Sequence, residues 1–174
     1  MARSLYNNIV TPSKLVHGTD FHLFKVRHPK RLLLSFDSRP RRLPDTHPTC
    51  ITHQEGIEPK WEDPKCARGG KWTFTVPKGN SRVPLDTYWL HVVLALIGEQ
   101  FADPGEICGA VVNVRNRGDR ISLWTRTGGN EAAQLSVGKQ MKQVLDLNDS
   151  TKLGYMLHED AMQQDRKAKD RYII

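Results

Sequence analysis

Trp61-Glu62-Asp63, flanked by Pro59 and Pro64, sets an aromatic plate beside a carboxylate. Further along, Val112-Asn113-Val114-Arg115-Asn116-Arg117-Gly118-Asp119-Arg120-Ile121-Ser122-Leu123-Trp124 spaces Arg115 and Arg120 across a strand–turn–strand that ends in a second indole. Aromatic faces stack bases, a carboxylate accepts from an N–H edge, and guanidinium forks grip phosphate oxygens. Together these groups make a receptor for a charged nucleobase that carries phosphates. An arbitrary Trp is more often a core residue, and Arg on a turn is more often simply solvated. The two prolines and polar neighbours put Trp61 on a loop instead, where exposed chemistry concentrates.

Other chemistry is less well supported. His47, Cys50, His53 and Cys66 offer four zinc-ligand types, but the spacing fits no common finger, so no metal is expected. Neither a Gly-x-Ser-x-Gly elbow nor a phosphate-binding Gly-rich loop occurs, and no carboxylate pair forms a credible site. His158-Glu159-Asp160 reads as a turn with solvated charge. The chain is therefore expected to be non-enzymatic, with no catalytic residues and no cofactor.

The elements that position the receptor are legible in part. Lys71-Trp72-Thr73-Phe74-Thr75-Val76 alternates, so Trp72, Phe74 and Val76 share one strand face. Asp86 is a plausible N-cap for a helix from Thr87 to Phe101. Its inward stripe is Trp89, Val92, Val93, Leu96 and Ile97, with Leu90 and Leu94 on an adjacent face. Ile107–Arg115 and Arg120–Arg126 form a hairpin turning near Gly118-Asp119. Asn130 caps a second helix that runs to about Leu145 on a stripe of Ala133, Val137, Met141 and Val144. Short strands are expected at Asp20–Lys25, at Gly154–Leu157 and at Tyr172-Ile173-Ile174, with a helix end, then a turn at Pro12 and Gly18, before the first of them. Hairpins with segregated helices give an α+β fold of one domain over residues 1–174.

Residues 26–56 break this order. Pro29, Pro40, Pro44 and Pro48, scattered Arg and no sustained period read as an irregular Pro/Arg-rich insertion that packs poorly. Its removal is expected to leave stability unchanged or improved.

With 174 residues the chain is long enough to bury a core. The net charge of +7 favours polyanionic partners, although part of the excess lies in 26–56. No apolar run is long enough to span a bilayer. The start lacks an apolar signal segment, and three Cys without one suit a reducing compartment. The expected location is the cytoplasm, with the nucleus as a second compartment, and no membrane partner.

Trp61-Glu62-Asp63, Arg68-Gly69-Gly70-Lys71-Trp72, Leu96-Ile97-Gly98-Glu99-Gln100-Phe101, Ile107–Arg115 and Leu123-Trp124-Thr125-Arg126 resemble the eukaryotic translation initiation factor 4E family, messenger-RNA cap-binding proteins, in wording closest to its plant-type members. The resemblance covers about Leu5 to Lys25 and Ile57 to the C-terminus, and leaves out 26–56. It implies a curved antiparallel sheet with helices on its convex face, here lacking the first strands.

By the same resemblance, Trp61 stacks on the cationic 7-methylguanine ring, gaining roughly 1–2 kcal/mol from cation–π attraction. Glu62 accepts from the guanine N–H edge, and Trp124 contacts the N7-methyl group. Lys71, Arg115 and Arg120 meet the phosphates of the cap of a 5′-capped messenger RNA, and Arg117 adds field. Leu90 and Leu94 receive the Tyr-x-x-x-x-Leu-Φ helix of an initiation factor 4G-type scaffold or related peptide. Arg3 stands where the family has an aromatic wall, and His91 where it has an acid, so weakened peptide binding is expected. The family's upstream stacking Trp has no counterpart, which is expected to cost about 1–3 kcal/mol of stacking. The alternative reading is a truncated isoform that binds 4G-type helices but not the cap tightly. Cys66 and Cys108 fall where plant-type members carry Cys, so a reversible disulfide is one state open to them and reduced thiols the other.

Overall fold

The computed structural model describes residues 22–24, 32–37, 49–54, 56–57, 59–76, 85–115, 118–162 and 169–174. The helix end and the turn expected before residue 20, together with Arg3 and Arg117, lie outside the described residues.

Strand β4, Gly70–Val76, shows the alternation that its sequence predicts. Trp72, Phe74 and Val76 are buried, while Lys71 and Thr73 are half-buried and Thr75 is exposed. β5 (Ile107–Asn113) and β6 (Asp119–Thr125) form the expected hairpin, with Asn113 opposite Arg120. The turn needs Gly118, whose φ of 141° is a conformation that side chains disfavour. β6 pairs with β4, and β4 pairs with β7 (Gly154–Leu157). β7 is followed by the edge strand β8, Tyr172–Ile173.

Two longer helices back this sheet. Helix α1, Leu85–Ile97, buries Trp89, Val92, Val93 and Ala95. It begins two residues before the expected Thr87, and Asp86 lies inside its first turn instead of capping it. It also stops before Phe101. Past Gly98 the chain turns back, with Glu99 at φ 48° and the Gln100 N–H donating to the Ala95 carbonyl at 3.0 Å. That reversal delivers Phe101 into the core. Helix α2, Glu131–Val144, is capped as expected: the Asn130 side chain accepts from the Ala133 N–H. A single core joins Trp72, Phe74, Ala110, Val112, Ile121 and Leu123 of the sheet to Trp89 and Val93 of α1 and Val137 and Met141 of α2. A short helix α3, His158–Met162, follows β7 directly.

Residues 26–56 require a correction. Leu32–Asp37 is a strand, β2, and Thr49–Gln54 is another, β3. β3 pairs antiparallel with β5, placing Thr52 opposite Ala110, and β2 pairs with β3. β1 (His22–Phe24) then adds to β2. Among the described residues the sheet order is β1-β2-β3-β5-β6-β4-β7-β8. The prolines punctuate this segment without entering its strands: Pro29 precedes β2, Pro40 and Pro44 lie in the connection, and Pro48 immediately precedes β3. Thr52 is fully buried. Removing 26–56 would strip β5 of one of its two hydrogen-bonded neighbours, leaving only β6, so a loss of stability is expected where the sequence suggested none. The curved antiparallel α+β sheet with helices on one face stands as expected. Among the described residues, no helix is long and apolar enough to cross a membrane.

Candidate functional site

Because β4 and β6 place Trp72, Phe74, Ile121 and Leu123 against the helices, their alternate residues must face away from them. The register sets Lys71 opposite Trp124, Thr73 opposite Ser122 and Thr75 opposite Arg120. Thr73 and Ser122 share a hydroxyl hydrogen bond of 3.3 Å. The helix-free face thus runs from an indole and an ammonium at one end to a guanidinium at the other, roughly 13 Å along the strand. Arg115 follows β5 beside that cationic end, where the Asp119 carboxylate accepts its backbone N–H at 2.9 Å and fixes the turn.

Trp61 approaches the indole end from the loop before β4. Asp63 shapes this loop. Its carboxylate accepts from the Lys65 N–H at 2.8 Å, and its carbonyl accepts from the Cys66 and Ala67 N–H groups, each at 2.9 Å. The Lys65 ammonium donates to the Gly56 carbonyl, tying the loop to its own base. Beneath it, Ile57, Cys66, Cys108, Val111 and Trp124 form a second apolar cluster. Such anchoring leaves Trp61 and Glu62 at the surface; Trp61 is 38% exposed, against 7% for Trp124 and 0% for Trp72. The loop placement of Trp61 and the core placement of Trp72 and Trp89 agree with the sequence reading.

Lys71 links the two indoles. Its Nζ lies 5.7 Å from the Trp61 ring centroid and 5.4 Å from that of Trp124. Burial holds its pKa below the ordinary lysine value, and the charges of Arg115 and Arg120 lower it further. Three cations therefore converge where an anion would relieve their mutual repulsion.

The structure also reveals a residue that the sequence reading misplaced. His158 is not part of a solvated turn but is fully buried, with its ring 4.3 Å from the Trp124 ring. Neither ring nitrogen finds a hydrogen-bond partner among the described residues. The signal available was its place directly after the Gly154–Leu157 strand, which carries it inward. Burial, then the Lys71 charge, pushes its pKa down from 6.5 to about 4. Since the folded value lies below the unfolded one, acid protonates the unfolded chain first, and stability is lost as pH falls from 6.5 toward 4. The loss should reach about 2 kcal/mol between pH 7.5 and pH 5. His158→Phe keeps a ring against Trp124 and should remove that part of the acid sensitivity. Urea unfolding of both proteins at the two pH values measures it; an equal acid loss in both would exclude His158 as the source.

Cys66 and Cys108 are both buried and are not joined in a disulfide. A hydrogen bond to Cys108 and burial hold the Cys66 thiol protonated, above the ordinary thiol range. The side chains of His47, Cys50 and His53 lie outside the described residues, although Cys50 and His53 are backbone members of β3.

On the helix side, Leu94 is 41% exposed and Leu90 half-buried, while Trp89 and Val93 point into the core. The pair therefore lies on the outer face of α1, as its spacing predicts. His91 is half-buried between them, its Nδ1 buried and without a hydrogen-bond partner among the described residues.

The architecture is that of an α+β protein whose sheet face turned away from α1 and α2 carries Lys71, Trp124 and Arg120, with Trp61 and Arg115 beside it. The sequence model of the family "Eukaryotic initiation factor 4E" matches residues 37–173. Eukaryotic translation initiation factor 4E-1 of Prunus domestica is 50% identical over 171 residues, covering 98% of this chain. Its counterpart in Arabidopsis thaliana is 49% identical over 169 residues, covering 97%. The chain spans 58% and 57% of the length of these two relatives. Among solved structures, Ascaris suum eIF4E-3 in complex with the m7G cap superposes with a TM-score of 0.71 at 33% identity, covering 99% of this chain and 78% of that one. A schistosome eIF4E complexed with m7GpppG and 4E-BP gives 0.69 at 25% identity, covering 99% and 79%. The chain belongs to the eukaryotic initiation factor 4E family.

Proposed function

We propose that this chain binds the 7-methylguanosine 5′ cap of messenger RNA on the helix-free face of its sheet and recruits an initiation factor 4G-type scaffold on α1. Trp61 stacks the base, Glu62 accepts from its N–H edge, and Trp124 flanks the methyl group. Lys71, Arg115 and Arg120 take the phosphates. Leu90 and Leu94 receive the Tyr-x-x-x-x-Leu-Φ helix of the scaffold or of a related peptide. The role is that of a non-enzymatic translation factor in the cytoplasm, and also in the nucleus. Residues 1–174 form a single domain, in which β2 and β3 extend the sheet beyond β5.

One observation carries this reading. Lys71 is the common neighbour of Trp61 and Trp124 and is repelled by Arg115 and Arg120, so one face holds aromatic and cationic groups in sequence. The relatives support it: the Ascaris suum protein was solved with an m7G cap, and the schistosome protein with m7GpppG and 4E-BP together. Exposed Leu94 leaves room for the partner-only reading, in which the scaffold binds and the cap does not.

Titration with 7-methyl-GTP and with GTP separates the two. The cationic ring adds a cation–π component that neutral guanine lacks. Binding of 7-methyl-GTP should therefore quench the tryptophan fluorescence at concentrations about 5- to 30-fold lower than GTP requires. Equal quenching by both nucleotides would overturn cap specificity and leave the partner-only reading.

A further inference from the structure

We infer that the Lys71 ammonium is an internal occupant of the aromatic slot. In the free chain it holds the cation position between Trp61 and Trp124, and a cationic ring enters only by exchanging places with it. The geometry is direct. Lys71 and Trp124 are cross-strand neighbours on the same sheet face, and the loop before β4 brings the Trp61 ring to the same ammonium. The Nζ lies within cation–π range of both rings, at 5.7 and 5.4 Å. The buried His158 ring packs at a 34° tilt against Trp124, 4.3 Å away.

Two effects make this occupancy easy to reverse. Lys71 is half-buried and faces the charges of Arg115 and Arg120, so its ammonium is held by the rings against electrostatic strain. An anion lying between the two Arg would relieve that strain and draw the ammonium out along the face. A ligand carrying both a cationic ring and phosphates supplies both halves of the exchange: the ring replaces the ammonium, and the phosphates receive it. This makes Lys71 a specificity-determining residue. It disfavours cationic rings without an anionic tail, since they must displace a cation with nothing to accept it. The exchange step rests on the cap reading above; the occupancy does not.

Tetramethylammonium chloride is the probe for occupancy, because it fits aromatic cages and contains no nucleotide. It is titrated at constant ionic strength, balanced with sodium chloride, against the full chain, Lys71→Met and Lys71→Arg, with binding read from tryptophan fluorescence. Circular dichroism establishes that each variant is folded. Lys71→Met, which keeps the length of the side chain without its charge, should bind the probe about fivefold more tightly than the native chain. Lys71→Arg keeps a cation in place and should stay as closed as the native chain. Equal probe affinity in all three proteins would overturn the occupancy. Lys71→Met should also bind 7-methylguanosine, which has no phosphate, several-fold more tightly, while binding 7-methyl-GTP more weakly. A lysine that served only phosphates would leave 7-methylguanosine unchanged, and that result would overturn the exchange. If Lys71→Met gains the probe while the native chain fails to distinguish 7-methyl-GTP from GTP, the cap reading falls and the occupancy stands.

Discussion

Replacing Arg115 and Arg120 together with alanine should lower the affinity for 7-methyl-GTP by two orders of magnitude or more at low salt. Hydrogen bonds to charged groups each contribute about 1.5–3 kcal/mol, and the two Arg flank one end of the face that carries Lys71. The salt dependence should flatten as well, since fewer counterions are exchanged when fewer phosphate contacts form. Affinity for 7-methylguanosine, which has no phosphate, should change far less. Isothermal titration of both ligands at two salt concentrations measures this. If both ligands weaken equally, the Arg pair does not serve phosphates.

Gly69→Ala should lower the melting temperature by about 10 °C. A Cβ on Gly69 would stand 1.8 Å from the Thr125 carbonyl oxygen and 3.0 Å from that of Cys66. Both obstacles are backbone, so no side-chain rotation relieves them. The Gly69 carbonyl also accepts the His158 N–H at 3.0 Å, which ties the position to the start of α3. Overpacking of this kind costs about 3 kcal/mol or more, and each kcal/mol is worth about 2–4 °C in a chain of this size. Gly129→Ala is the matched control, because a Cβ there meets nothing within 4 Å. Thermal unfolding followed by circular dichroism tests the pair. An unchanged melting temperature for Gly69→Ala would show that the β4–β6 junction can open without penalty.

How much could be read in advance depended on how local the cause was. β4 was legible because alternation at Trp72, Phe74 and Val76 is written within seven residues. The α1 stripe and the Asn130 cap were legible for the same reason. β2 and β3 were not, because their partners are distant: Thr52 pairs with Ala110, and nothing near Thr52 announces it. The prolines around those strands masked two six-residue segments as one loop. At the site, Trp61 and the Arg pair could be found from residue type and flanks. The burial of His158 was signalled only by its place directly after β7, and its contact with Trp124 was not, because that ring arrives from another strand. Nor was the position of Lys71 between two indoles, which depends on how the Trp61 loop folds over β4.

The strand order has a consequence for the order of assembly. β5 and β6 are joined by a short turn and can pair as soon as both exist, whereas β3 must wait for β5, roughly sixty residues later in the chain. Contacts so far apart in sequence form slowly. At about 5–20 residues per second, synthesis leaves β1, β2 and β3 without their docking edge for about 3–12 s after they are made. During that interval the meander has no neighbour to complete it, and chaperones that hold extended apolar segments have their best opportunity. Once β5 emerges, its docking edge and the pre-assembled meander meet in a single step. The stretch between Gln54 and Ile107 is therefore the part of the chain whose translation speed sets how long β3 waits for its partner.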